Sequence, residues 1–345
     1  MHLDVPLRNF PLADVAGEAR RLESMGFGAL WSFETSRDPF LPLLQVALAT
    51  ERIRLGTNIA VAFARTPFSM AMTAWDLQRA SGGRLILGLG TQVRAHVERR
   101  FSAQFEHPAA RITDYVHCLR AIWETFQSGA KPDYEGPFYR FKLINEMFTG
   151  GPIDHPQIPV FLAGVNPRMA RAAGQAADGF SVHPMHSPDY LREVVRPAID
   201  EGARTRGKSV QDIVLVTDCF IVRGETESAR SRAEAAVRRQ IAIYASTPSY
   251  RGFLEFHGHV DIGKKLSALM REGRLKEMPA LISDELLAVV AISQADGDLA
   301  IQIRKRYAGD LVQRVLFYES VSTDADEESM RAFVRRVRGE AGRGD

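Results

Sequence analysis

The chain has 345 residues, 45% of them apolar and 25% charged, and 44 basic side chains face 42 acidic ones for a formal net charge of +2. This composition excludes a disordered chain, a collagen-like fibre and a disulfide-dense scaffold. The balanced charge also leaves no basic surplus to displace counterions from a nucleic acid backbone, so nucleic acid is not expected as the main partner.

The first segment, Leu3-Asp4-Val5, reads as a short strand leading into a polar turn at Arg8-Asn9. After Pro11, apolar residues at Val15, Ala19, Leu22 and Met25 keep helical spacing, and Gly26 is placed to stop the helix. Strand two is Ala29 to Phe33, a helix follows from about Phe40 to Ala49, and Ile53 to Thr57 is strand three. The next helix spans Pro67 to Ala80, with proline suited to its first turn. Ser81-Gly82-Gly83 ends it before strand four, Arg84 to Gly88. An amphipathic helix over 111–126 and a turn-rich excursion around 134–138 precede strand five, Pro159 to Ala163. Then come a helix over 167–177, strand six over 179–182, a helix over 190–204 and strand seven from Ile213 to Val222. A long helical insertion occupies about 227–306, Arg314 to Tyr318 is the last strand, Asp324 opens a C-terminal helix to 338, and 339–345 reads as a frayed tail.

Eight apolar strands, nearly all followed by helices, predict a parallel sheet with helical crossovers, and eight such units close into a (β/α)8 barrel. An open doubly wound sheet is the competitor, but it wants a phosphate-binding glycine after its first strand, where this chain has Leu7-Arg8-Asn9. The absence of repeats or low-complexity linkers makes a single domain over 1–345 the simpler reading. The opening residues show no charged and apolar leader, and the longest apolar run, Leu286 to Ile292, is far short of the ~18 residues of a membrane span. A cytoplasmic protein without a membrane partner is therefore expected. Cys118 and Cys219, in apolar-patterned segments, read as buried thiols.

In a barrel the active site lies at the C-terminal ends of the strands. Those ends carry Glu34, Asn58-Ile59, Gly88-Leu89-Gly90-Thr91-Gln92, Gly164-Val165-Asn166-Pro167 and His183-Pro184. Gly88 and Gly90 would let backbone approach a flat or charged ligand, or simply make a tight turn. Gly164 to Pro167 leads into a helix N-terminus, whose free N–H groups favour a phosphate.

Several motifs in order resemble the bacterial luciferase-like superfamily. They are Glu34 with Asp38-Pro39-Phe40, Ile53-Arg54-Leu55-Gly56-Thr57-Asn58-Ile59, Arg65-Thr66-Pro67, Ser81-Gly82-Gly83-Arg84, Gly88-Leu89-Gly90-Thr91, Pro159 to Gly164, and Ala177-Asp178-Gly179-Phe180. The resemblance runs over about 1–222 and resumes at the final strand, and the whole is similar to the branch that uses the deazaflavin coenzyme F420 rather than FMN. It implies a planar ring held over the barrel mouth against a cis non-proline peptide at Asn58-Ile59. It further implies a cofactor phosphate at Gly164, Val165 and Asn166 and at the Ser181-Val182-His183 strand end, and ribityl or ring-edge contacts from Thr91 and Gln92. Glu34 is then the candidate proton donor, its alternative being a structural carboxylate paired with Arg65 or Arg84. His183 is a candidate for contact with cofactor or substrate. Relatives pair through early helices, so a homodimer or higher homo-oligomer is implied.

The chain departs from sugar-phosphate dehydrogenases of the superfamily, with Val93 where they carry a glutamate and with few lysines. A small, apolar substrate is expected instead, and Tyr244, Tyr250, Phe253, Phe256 and Met278 of the insertion are suited to capping an apolar pocket. His257-Gly258-His259 lacks the partners and second shell of a metal site, so no metal is expected. The leading expectation is an F420-dependent oxidoreductase moving a hydride between the deazaflavin and a small organic molecule. A reduced-FMN-dependent two-component monooxygenase is the alternative, and a non-catalytic flavin-binding barrel a second one.

Overall fold

A computed structural model describes residues 1–7, 10–318, 321 and 325–340. The polar turn read at Arg8-Asn9 and the helix start read at Asp324 lie outside them.

Eight strands form a closed parallel cylinder: β1 (His2–Pro6), β2 (Ala29–Ser32), β3 (Arg54–Thr57), β4 (Leu85–Gly90), β5 (Val160–Gly164), β6 (Gly179–Val182), β7 (Val214–Val222) and β8 (Arg314–Phe317). Each pairs in parallel with the next, from Val5 opposite Leu30 to Val216 opposite Arg314, and β8 closes on β1 with His2 opposite Arg314. This is the (β/α)8 barrel expected from the strand count. Its strands read as near-continuous apolar runs because one face meets the helices while the other fills the interior. Ala29, Trp31, Ile86, Phe161, Val216 and Leu316 pack together as that interior. The larger cluster between strands and helices runs from Leu3 to Val337 and includes insertion residues such as Phe253, Leu266 and Leu286.

The N-terminal end of the cylinder is sealed by a buried ion pair. Arg314 donates from Nε and Nη2 to the two carboxylate oxygens of Asp4, each at 2.7 Å, and Trp31 Nε1 donates to the same carboxylate at 2.9 Å. The pair joins the first strand to the last. Neither charge is left without a partner in a low-dielectric interior.

The helical shell follows sequence punctuation. Helix α1 (Val15–Ser24) stops before Gly26, whose φ of +88° is the left-handed conformation glycine tolerates. Helices α2 (Phe40–Ala49) and α3 (Pro67–Ala80) follow β2 and β3; the α3 N-cap is Thr66, whose side chain accepts from Ser69 N–H. Helix α4 (Pro108–Ser128) begins three residues before the amphipathic stripe, at a proline in its first turn. The turn-rich excursion after it is a small antiparallel hairpin, Tyr134–Glu135 with Arg140–Phe141. Helix α5 (Pro167–Ala176) follows β5. The segment read as one helix over 190–204 is a π-helical turn, Leu191–Val195, running into α6 (Arg196–Arg204). Pro197 has no N–H to close the α-helical ladder there.

After β7 the insertion opens with α7 (Glu227–Ala245), continues through short helices, and ends with α8 (Leu299–Arg306). It is not wholly helical. Ala291–Ser293 forms a short strand that pairs in parallel with Phe220–Val222 of β7, whose nine residues overrun the cylinder. The C-terminal helix α9 spans Glu327–Arg338. Cys118 and Cys219 are both buried free thiols, and no helix of the described residues is long and apolar enough to cross a membrane.

Candidate active site

A cavity of about 850 Å³ opens at the C-terminal ends of the strands, within the ~300–1,000 Å³ range of small-molecule and cofactor sites. Its floor ties three strand ends together. Asn58, just after β3, accepts a hydrogen bond from Ser181 Oγ of β6 at 2.6 Å and donates from Nδ2 to Asp218 Oδ1 of β7 at 3.1 Å. All three residues line the cavity.

The Asn58–Ile59 peptide bond is cis. The next residues, Ala60–Val61, add a short strand beside the end of β4, with Ala60 opposite Leu89. Gly90 permits this: a Cβ there would stand 2.8 Å from Ile59 Cγ1. Ile59 and Gly90 both line the cavity, as do Thr91 and Gln92. Gln92 has a φ of +57°, with its side-chain oxygen accepting from Val93 N–H at 3.0 Å, and the Thr91 hydroxyl donates to the Gln92 carbonyl at 3.1 Å. Both polar side chains thus hold the turn they occupy.

Gly88 does something other than expected. A Cβ at that position would lie 1.8 Å from the Thr57 carbonyl oxygen, and Thr57 Oγ1 donates to the Gly88 carbonyl at 2.5 Å. Gly88 is therefore a close-packing residue between β3 and β4, and it is not among the residues lining the cavity.

Glu34 takes the first of the two structural pairings considered for it. Its carboxylate accepts Val61 N–H at 2.7 Å and both Arg65 Nη1 contacts at 2.8 and 2.9 Å, while its own N–H donates to the Ile59 carbonyl at 3.3 Å. Arg65 in turn reaches Asp38 at 2.8 Å. Glu34 does not line the cavity. With its oxygens engaged by a guanidinium and a backbone donor, it ties the segment 59–61 to Arg65, the structural pairing that stood as its alternative. Arg84, the other partner considered for it, instead donates to the carbonyls of Ala47 in the last turn of α2 and of Thr50 and Ile53 just beyond it.

At the opposite side, Gly164, Val165 and Asn166 line the cavity where β5 turns into α5. Asn166 is the N-cap, its Oδ1 accepting Met169 N–H at 3.1 Å. A Cβ on Gly164 would fall 2.4 Å from Met169 Cβ, so glycine lets the chain turn tightly into the helix.

Ser181, Val182 and His183 continue the wall toward the insertion, which supplies Ile243, Tyr244, Thr247 and Tyr250 as a roof. His183 Nδ1 accepts Met185 N–H at 3.2 Å, and Nε2 stands 2.9 Å from the Tyr250 hydroxyl. The imidazole meets Tyr244 edge-on, ring centres 4.4 Å apart, and the Tyr244 hydroxyl is 2.8 Å from that of Tyr318. Burial pushes the His183 imidazole down to about 3, so it is neutral at physiological pH. Of the five insertion residues expected to cap the pocket, Tyr244 and Tyr250 do so; Phe253 and Met278 are core residues, and Phe256 packs against the core. His257, set aside as a metal ligand, is 2.8 Å from Ser187 Oγ.

The cavity also contains Asp218, Ser32, Arg37 and Tyr318, which the sequence reading did not single out. Asp218 was detectable, because a carboxylate inside the apolar run of β7 is rare without a polar task.

This arrangement is an open cavity at the mouth of a (β/α)8 barrel, bordered by the strand ends and the insertion. The luciferase-like monooxygenase family model matches residues 2–314, and the chain belongs to that family of oxidoreductases and monooxygenases. An uncharacterised protein of Mycobacterium tuberculosis is 42% identical over 325 residues, covering 94% of this chain and 95% of that one. A putative coenzyme F420-dependent oxidoreductase of the same organism is 29% identical over 282 residues, covering 77% and 79%. The solved F420-dependent tetrahydromethanopterin reductase of Methanopyrus kandleri superposes with a TM-score of 0.76 at 19% identity, over 98% of this chain and 99% of its own, and shares the fold.

Proposed function

We propose that this protein is a coenzyme F420-dependent oxidoreductase that moves a hydride between the deazaflavin and a small, apolar-flanked organic substrate. The observation that carries this reading is that one cavity joins the Asn58–Ile59 bulge, the β5–α5 turn and the aromatic roof, in a chain similar to a putative F420-dependent oxidoreductase. The site suits a planar ring with a phosphorylated side chain. The bulge offers an edge for the ring, and backbone N–H groups at the start of α5 suit an anion. Bound there, the deazaflavin would supply the hydride chemistry.

The chain's own residues bind and orient. Gly164, Val165 and Asn166 would hold the phosphate, with Ser181 and Val182 beside it. Asn58, fixed by Ser181 and Asp218, presents the bulge, and Ile59, backed by Gly90, supports the ring. Thr91 and Gln92 shape the neighbouring wall. Glu34 and Arg65 keep this bulge in place. Val182, Tyr244 and Tyr250 exclude water from the substrate side, and His183 stays neutral beside them. We place the enzyme in the cytoplasm with a small molecule, not nucleic acid, as its partner. It acts as a homodimer, supported by the exposed leucines Leu41, Leu44 and Leu48 along α2.

Fluorescence titration with F420 and with FMN tests the reading. Saturable F420 binding at micromolar concentration, weakened about tenfold by Asn58→Ala, is expected from losing a buried hydrogen-bonded contact. Tight FMN binding without F420 affinity would replace the reading with the reduced-FMN monooxygenase that the family description favours.

A further inference from the structure

Tyr250 ends the 3-10 turn Pro248–Tyr250 in the roof, where its side chain is buried but still borders the cavity. Its hydroxyl meets one partner among the described residues, His183 Nε2 at 2.9 Å. The direction of that bond follows from the other ring nitrogen. His183 Nδ1 accepts the N–H of Met185, which assigns the single proton of the neutral imidazole to Nε2. Nε2 therefore donates and the Tyr250 oxygen accepts.

The phenolic proton is left without an acceptor among the described residues. Buried hydroxyls are normally hydrogen-bonded, so such a donor on a cavity wall is a recognition group awaiting an acceptor. Its surroundings differ from it. The Tyr244 hydroxyl is already engaged with Tyr318, and Ile243, Val182, Phe33 and Leu7 give the cavity apolar side chains.

We infer that Tyr250 recognises the carbonyl or hydroxyl oxygen of a small substrate with apolar or aromatic flanks, and that His183 is the positioning residue that orients the phenol. This rests on the redox reading above only for the word substrate; the recognition itself concerns binding, and no bond forms or breaks in it.

The test compares two ligands of similar shape, benzaldehyde with an acceptor oxygen and toluene without one, binding to the full chain with and without F420. Saturation-transfer NMR or calorimetry reads the ratio of their dissociation constants. The wild type is expected to prefer benzaldehyde about tenfold, the size of one buried hydrogen bond. Tyr250→Phe should reduce that ratio to near one while leaving toluene affinity unchanged, which shows the pocket intact. His183→Gln, whose amide still offers an N–H donor, should keep more of the preference than His183→Ala. A preference unchanged in Tyr250→Phe would overturn the inference, as would a wild type that binds neither ligand at millimolar concentration. Normal F420 binding with no effect of Tyr250→Phe would sink this inference alone. A tenfold preference in a protein that binds no F420 would sink the redox reading alone.

Discussion

The two ends of the cylinder carry polar groups under opposite arrangements. At the N-terminal end, Asp4, Arg314 and Trp31 engage one another inside an apolar shell. At the C-terminal end, Asn58, Ser181 and Asp218 are linked, yet all three border the cavity, as does the phenol of Tyr250 beside His183. Eight strands thus bury polar groups for closure at one end and open them onto a cavity at the other. Substitutions should separate stability from binding according to the end they touch.

The largest effect is expected at the sealed end. Asp4→Ala leaves the Arg314 guanidinium buried without its counter-charge, and urea unfolding should show a loss of about 3–5 kcal/mol. F420 affinity per folded molecule should stay the same; a selective loss of affinity would erase the distinction between the ends.

Next comes Glu34→Gln, which removes the charge that holds Arg65 behind the bulge. Unfolding stability should fall by about 1–3 kcal/mol, and F420 binding should weaken with it while the pH profile of turnover keeps its shape. Unchanged stability with abolished turnover would restore Glu34 as a proton donor.

Acid provides a third probe. Burial holds the imidazoles of His183 and His186 neutral, each pushed down to about 3, whereas an unfolded histidine titrates near ~6.5. Between those values the unfolded chain binds protons that the folded chain does not, so their contribution makes stability rise with pH and fall on acidification, and go flat above pH ~7. Each contributes up to about 1.4 kcal/mol per pH unit. His186→Gln should lower the slope of stability against pH between about 6 and 4 by roughly one such contribution. An unaltered slope would mean that His186 takes up its proton in the folded state.

The smallest effect on the single chain is expected on α2, away from both ends. Leu48, 72% exposed, changed to Glu should leave thermal stability of the monomer within about 0.5 kcal/mol while shifting mass on light scattering from dimer to monomer. A monomeric wild type would remove the proposed pairing.

The sequence made the barrel legible through its period. Continuous apolar runs such as Leu85 to Gly90, alternating with striped helices, have few other solutions. Local punctuation was equally readable at Gly26, where a positive φ is required, and at Pro67, which opens α3. The cis peptide at Asn58–Ile59 was legible only through the family resemblance, whereas the placement of Gly90 and of Gly164 to Asn166 on the cavity wall followed from their positions at strand ends. The site was less legible where side chains choose among partners. Arg65 and Arg84 were both open as partners of Glu34, and only the fold shows that Arg65, 31 positions on, takes its oxygens; nothing local to Gly88 says that it faces the Thr57 carbonyl instead of the cavity. His183 and Tyr250 meet across 67 positions, a distance that periodicity does not bridge.

The short strand Ala291–Ser293 fastens the far part of the insertion to the same β7 from which the insertion departs. The roof is thus moored at both ends to one rigid post, with Tyr244 and Tyr250 strung between the moorings. Changes to the roof residues between Val222 and Ala291 can thus alter what the cavity meets while both moorings stay on β7.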